Sequence, residues 1–350
     1  VTFIALRQGF RWVVALATLG AIAGCAGNTA PLSARFAAGD EVVVCTGADL
    51  THPGTTLTLV DAADGRVDTR LASGVVEPAA VAVGTGRHWM VVVGAGDDRL
   101  VTIDPTTGSI GRQVRVGLEP DAVAVTDHGT LALVADSGSA ALDAVDLTSG
   151  HLTRAVVLSA DPDAAPAAVA VGAGGTVAIV ADEEQDAAVL VDLRRWQVSA
   201  VVPVGAEPDA VAVTPDGTTA LVANLGADSI IPVNLAKASA GPPIRLGIDP
   251  TGLAVTTAPM PGTSRATDPI GTAWVSGGDA LVPVDLRSMT VGTPLPTGGP
   301  AEAVALADHG RRAWVADADG AVAEVDLVTG RLQRLVHVGG HPTAVAIPSR

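Results

Sequence analysis

Residues 204–245 read VGAEPDAVAVTPDGTTALVANLGADSIIPVNLAKASAGPPIR, and this stretch decides the fold. It opens on a Gly-x-x-Pro turn, Gly205 to Pro208. A short apolar run follows, Val211-Ala212-Val213. Pro215-Asp216-Gly217 is turn chemistry, because proline presets φ and glycine accepts a positive φ. A second run ends on a polar residue, Leu221-Val222-Ala223-Asn224, and a third closes on Val233-Asn234-Leu235. A weaker fourth run leads to the next Gly-x-x-Pro. Four short strands separated by turns predict one small antiparallel sheet.

The same unit recurs along the chain. The prolines that lead it are Pro78, Pro120, Pro166, Pro208, Pro250, Pro300 and Pro342, at intervals of 42, 46, 42, 42, 50 and 42 residues. The polar residue of the third run recurs as Asp61, Asp104, Asp146, Asp192, Asn234, Asp285 and Asp326, at intervals of 43, 42, 46, 42, 51 and 41. Two markers keep step, so the spacing is a repeat and not an accident of composition. A period of 40–45 residues with four strands per unit points to a β-propeller.

The chain ends supply the closure. The first unit, residues 41–71, lacks its leading run, and residues 341–347 are a leading run alone. The C-terminal strand is therefore expected to complete the N-terminal sheet. That predicts an all-β, seven-bladed propeller over residues 41–350 with no open sheet edge to recruit another chain.

The pattern P-x-x-V-A-V-T-P-D-G-x-x-x-L-V-A-N-x(9)-N-L over residues 208–235 resembles the YVTN family of bacterial β-propeller repeats. The signature Tyr is absent. Val91, Leu133, Ile179, Leu221, Trp274 and Trp314 stand in its place. The resemblance implies a seven-bladed propeller outside the cytoplasm. It implies no single activity, because such propellers host enzymes, electron-transfer partners and adaptors.

Residues 1–24 read as a leader for export. Arg7 and Arg11 precede an apolar run from Trp12 to Ile22 that is too short to span a bilayer. The run ends in Ile22-Ala23-Gly24-Cys25, which resembles a bacterial lipobox with Cys25 as the lipidated (palmitate-bearing) residue. Residues 25–40 then form a tether reaching about 50 Å when extended. The expected location is the outer face of the cell membrane, held by acyl chains.

Composition fits a ring of short strands. The chain is 48% hydrophobic with 40 Gly and 23 Pro but only 2% aromatic, so the core must be Val, Ala and Leu. Leading runs such as Val123-Ala124-Val125 read as strands buried on both faces. The formal charge is −16, and loss of the leader with Arg7 and Arg11 takes it to −18. Such a surface argues against nucleic acid, whose binding rests on neutralising phosphate. With Cys25 acylated, Cys45 has no partner for an intramolecular disulfide.

The repeat also places candidate side chains. The loops leading each inner strand carry Glu77, Glu119, Asp121, Asp163, Glu207, Asp209 and Asp249. The ends of the second strands carry Asp136, Asp182, Asn224 and Asp317. All are expected at one end of the ring, called the top here. Two readings stand side by side: a binding surface for a small cationic ligand, a metal ion or a basic protein patch, or solvated carboxylates that satisfy loop amides.

Cys45 is read as replacing the recurrent Asp or Asn in the first blade. Its following loop is longer and carries Asp49 and His52, and the closing strand brings His341. Thiolate and imidazole suit a borderline metal, so Cys45, His52 and His341 are a candidate metal set. Trp274 and Trp314 share one repeat position and read as core. No nucleophile elbow, zincin helix or phosphate loop is present. A ligand- or protein-binding scaffold is the first expectation. A metal-dependent hydrolase, lactonase or lyase in the axial funnel is the rival.

Overall fold

The computed structural model describes residues 41–47, 56–84, 89–104, 107–126, 129–258, 260 and 271–347. The leader, the tether, Cys25, His52 and most of the 256–271 loop lie outside them. The described strands form seven antiparallel sheets. Blade 5 shows the plan: an inner strand Pro208–Val213, a second Thr219–Asn224, a third Ser229–Asn234, and a divided outer strand, Ser239–Ala240 with Ile244–Arg245. Each inner strand contacts the inner strands of both neighbouring blades, and the succession closes into a ring.

Closure follows the sequence expectation. His341–Ala346 pairs antiparallel with Glu41–Gly47, with Val345 opposite Val44 and Ala346 opposite Val43. Blade 1 is thus completed by the two ends of the described chain.

The core sits between blades and not inside one. One cluster joins Val91, Val93 and Leu100 of blade 2 to Ala132, Val134 and Val145 of blade 3. The pleat explains the sequence pattern. In blade 5, Leu221 and Ala223 face blade 6, while Ala220 and Val222 face blade 4. Second strands are therefore buried on both faces and read as unbroken apolar runs. Trp274 and Trp314 are core residues, at 1% and 0% exposure.

The inner strands depart from their expected double burial. Beyond the proline most of their residues are half-buried. Each is the terminal strand of its sheet, so one backbone edge faces the axis of the ring and has no further strand to pair with.

The recurrent Asp of the third run holds the next turn. Asp146 Oδ1 accepts from the amides of Thr148 and Ser149, and Asp285 and Asp326 repeat the arrangement. Pro232 and Pro283 sit inside third strands, where proline is rare. Each lies where the outer strands of other blades already shift register, as at Leu190/Val191. The outer strands of blades 5 and 6 divide there instead. The carbonyls of Pro232 and Pro283 still accept from Gly241 and Gly292 at 2.7 and 2.8 Å.

Two positions are corrected by register. In blade 7 it is Ala301, and not Pro300, that stands opposite Asp317, as Pro208 stands opposite Asn224. In blade 1 it is Thr46 that stands opposite Pro342. Cys45 stands opposite Ala344 and takes the place of Ala223, one residue short of the expected position. The unusual length of the loop after Cys45 hid this phase. No helix among the described residues is long and apolar enough to cross a membrane.

Candidate functional site

The loops leading the inner strands hold their backbone from both sides. Glu77, Glu119 and Glu207 adopt φ of 52°, 50° and 51°, the left-handed region that a β-carbon disfavours. Neighbouring groups over-determine this strain. The Glu207 amide donates to Asp186 Oδ1 of blade 4 at 3.0 Å, and its carbonyl accepts from Leu225 at 2.8 Å. The Glu119 amide donates to Asp98 Oδ1 at 3.1 Å, and its carbonyl accepts from Ser137 at 3.0 Å. The three glutamates, with Asp163 and Asp249, are exposed.

The second-strand residues have a different setting. Asp136, Asp182 and Asn224 are at 0% exposure and Asp317 at 3%. They lie beneath the loops and not on their outer surface. Asn224 Oδ1 accepts from the Gly205 amide at 3.1 Å, and Asp182 Oδ1 accepts from Ala165 at 3.0 Å. Burial raises the carboxyls of Asp182 and Asp317 above the ordinary range.

Glycine is required above Asp136, Asn224 and Asp317, whereas the longer blade 4 loop carries none above Asp182. A β-carbon on Gly205 would lie 2.8 Å from Asn224 Cγ. Blade 2 solves the same contact in reverse: its second strand ends in Gly94, where a β-carbon would lie 2.5 Å from that of Val75. The Gly-x-x-Pro motif is thus a packing partner of the buried polar residue.

One further position rings the axis: Ala79, Asp121, Ala167, Asp209, Thr251, Glu302 and Thr343. It falls where the inner strand skips a pairing, as between Pro208 and Ala210. Thr251 Oγ1 donates to the carbonyl of Ala301 in the next inner strand at 2.6 Å. Thr343 Oγ1 donates to that of Pro78 at 3.4 Å. Blades 3, 5 and 7 place carboxylates there instead.

Asp209 is half-buried, and its carboxyl is pushed up to about 7. Crowding by protein is the largest cause, followed by the charges of Glu183, Glu302 and Asp121. Asp121, more open to solvent, is also raised by its surroundings, against a hydrogen bond from Ser137. These carboxylates act on one another across the channel mouth. Such a site favours a positive charge, because a cation relieves the mutual repulsion that a proton otherwise relieves.

Sequence reasoning found Asp121 and Asp209 but not Glu302 or Glu183. The Pro300 marker put blade 7 out of phase by one, and aligning Ala301 instead exposes Glu302 as the counterpart of Asp209. The third-strand acids Asp143 and Glu324 were also missed. Their signal is a charge inside a run that other blades keep apolar, as at Val189 and Leu190.

The metal set is not brought together in the described residues. His52 and the Cys45 side chain lie outside them, and His341 is exposed. Among the described residues no group of three or more His, Cys, Asp and Glu is placed to hold a metal ion. A groove on the rim, lined by Met260, Pro283, Gly292, Leu295 and Val328, carries no titratable side chain.

No family model matches the chain, and no curated protein matches it in sequence. Among solved structures, the hydrazine synthase of Kuenenia stuttgartiensis is similar in fold. It has a TM-score of 0.66 and 15% identity over 77% of this chain and 89% of that one. The likeness at that identity is one of fold. In all, 1726 chains of solved structures resemble this one, so the architecture does not select a function.

Proposed function

We propose that this propeller is a binding scaffold whose axial mouth takes a cationic group of a small ligand or of a basic partner protein. The observation that carries the reading is Asp209, half-buried and held among Asp121, Glu302 and Glu183. Exposed Glu77, Glu119, Glu207 and Asp249 surround that mouth and would steer a positive partner toward it. The metal-dependent alternative has no three-group cluster among the described residues to build on.

The test is calorimetric titration of the purified chain with spermidine and with an Arg/Lys-rich peptide, at low and high salt. Saturable binding that weakens with salt, and is lost in the Asp209→Asn/Glu302→Gln variant, is expected. No binding of either probe at low salt, or equal binding by the variant, would sink the reading.

The location proposed is the outer face of the cell membrane, through lipid on Cys25. It rests on Ile22-Ala23-Gly24-Cys25 after the apolar run. Glu41 begins the second strand of blade 1, which starts at the end opposite the acidic mouth. A tether leaving there would bias the mouth away from the membrane. Labelling with a palmitate analogue should mark the wild type and not Cys25→Ser; label persisting in the variant would refute lipidation.

A further inference from the structure

Blade 3 departs from its sister blades beneath the loop Gly117–Glu119. In blade 5 the corresponding Gly205 amide donates to the second-strand residue Asn224. In blade 3 the Gly117 amide donates instead to Asp143 Oδ2 of the third strand, at 2.9 Å. Asp143 is at 3% exposure, where blade 4 has Val189 and blade 5 Ile231. The second-strand residue Asp136 is left at 0% exposure, with neither carboxyl oxygen hydrogen-bonded.

One amide donor therefore stands beside two buried carboxyl groups, and Asp143 takes it. The charges around them do not help. Asp121 and Asp98 add negative potential on Asp136. Arg115, at the end of the blade 2 strand that leads into this loop, pairs with Asp98 at 3.7 Å. Among the described residues no Lys, Arg or His is paired with Asp136 or Asp143. Two buried like charges without a counter-ion cannot both persist, so the pair must retain a proton.

We propose that Asp136 and Asp143 form a proton-loaded latch beneath Gly117, and that loss of the retained proton opens the Gly117–Glu119 loop on the top face against the bonds that Ser139, Gly138, Ser137 and Asp98 make to it. The asymmetry between blades supports the device. Asn224 is a permanently neutral occupant of the Asp136 position, so blade 5 has the same loop without the switch.

The sign is fixed by linkage. Asp136 is pushed up to about 8, first by burial and then by Asp143. A carboxyl raised above its unfolded value keeps the latch intact at low pH and loses it as pH rises through about 8. The loop carries exposed Leu118 and Glu119, so its release changes what blade 3 presents at the mouth. The inference stands whether or not the mouth binds a cation.

Amide hydrogen exchange tests it with an internal reference. Protection of residues 117–119 is compared with that of 247–249, the blade 6 loop over the neutral Gly277, in the same molecule, which cancels the intrinsic pH dependence of exchange. Between pH about 6.5 and about 9.5 the ratio should fall by about tenfold or more in the wild type, as loss of one proton from a linked equilibrium allows. It should stay constant in Asp136→Asn. A constant wild-type ratio, or an unchanged fall in Asp136→Asn, would overturn the latch. Should that variant fail to fold, carboxyl-carbon NMR titration of the wild type decides: an Asp136 midpoint in the ordinary carboxylate range overturns the proposal, and one near 8 supports it.

Discussion

Glu324 offers a quantitative test of how blade 7 is held to blade 1. It sits in a third strand at 2% exposure, at the position of Leu190 and Pro232 in other blades. Arg312 donates to Glu324 Oε1 at 2.9 Å, and Arg334 pairs with its other oxygen. Both arginines reach into blade 1. Arg312 Nη1 donates to the Ala62 carbonyl at 2.7 Å, and Arg334 Nη2 donates to that of Ala63 at 3.3 Å. Arg70 returns a bond from blade 1 to Val338 at 3.0 Å. These contacts supplement the ladder between the two chain ends.

Removing one member of a buried ion pair costs about 3–5 kcal/mol, because the partner charge is left stranded. Here Arg312 keeps Asp308 as a second partner, and Arg312 and Arg334 are 27% and 31% exposed and can partly rehydrate. The cost for Glu324→Leu is therefore nearer about 2–3 kcal/mol. At about 2–4 °C per kcal/mol for a chain somewhat smaller than this, the melting temperature should fall by about 4–10 °C. Glu324→Gln keeps one acceptor and should fall less. The loss should survive high salt, since a buried pair is little screened. The assay is thermal unfolding at one scan rate, in about 0.15 M and in about 1 M salt. Both variants melting within about 1 °C of the wild type, on the same scale, would refute the argument.

Deleting residues 341–350 removes the strand paired with Glu41–Gly47 and exposes its edge beside Val42, Val43 and Val44. Aggregation or a large loss of stability is expected, and unchanged melting with a monomeric elution profile would contradict the closure. Asp209→Asn should flatten a pH dependence. The carboxyl is raised to about 7, so its contribution is complete at low pH and is lost as pH rises through about 7. The variant should therefore gain on the wild type at pH 8 and not at pH 4 in denaturant unfolding. An equal difference at both pH values would place the effect elsewhere.

The amino-acid sequence alone set the four-strand plan of a blade, the seven blades and the closing strand, and only the structure divides the outer strands of blades 5 and 6. The period needed only the turn residues and the apolar runs, which are local. It also determined that Trp274 and Trp314 are core, because a shared repeat position meets a shared environment. Tertiary structure decided which polar residues are presented and which are buried. Asp136 ends a short apolar run and Asp209 begins one, yet one lies under a loop and the other beside the channel. Their difference is set by strand order and by a skipped pairing, which no local pattern reports. The phase of Glu302 was readable only from cross-strand register, since Pro300 imitates the marker one residue early. The pairing of Asp136 with Asp143, and of Glu324 with Arg312 and Arg334, required neighbouring strands to meet side by side. Like and opposite charges acquire their meaning at that contact, because desolvation and distance fix their energies, and a one-dimensional sequence contains neither.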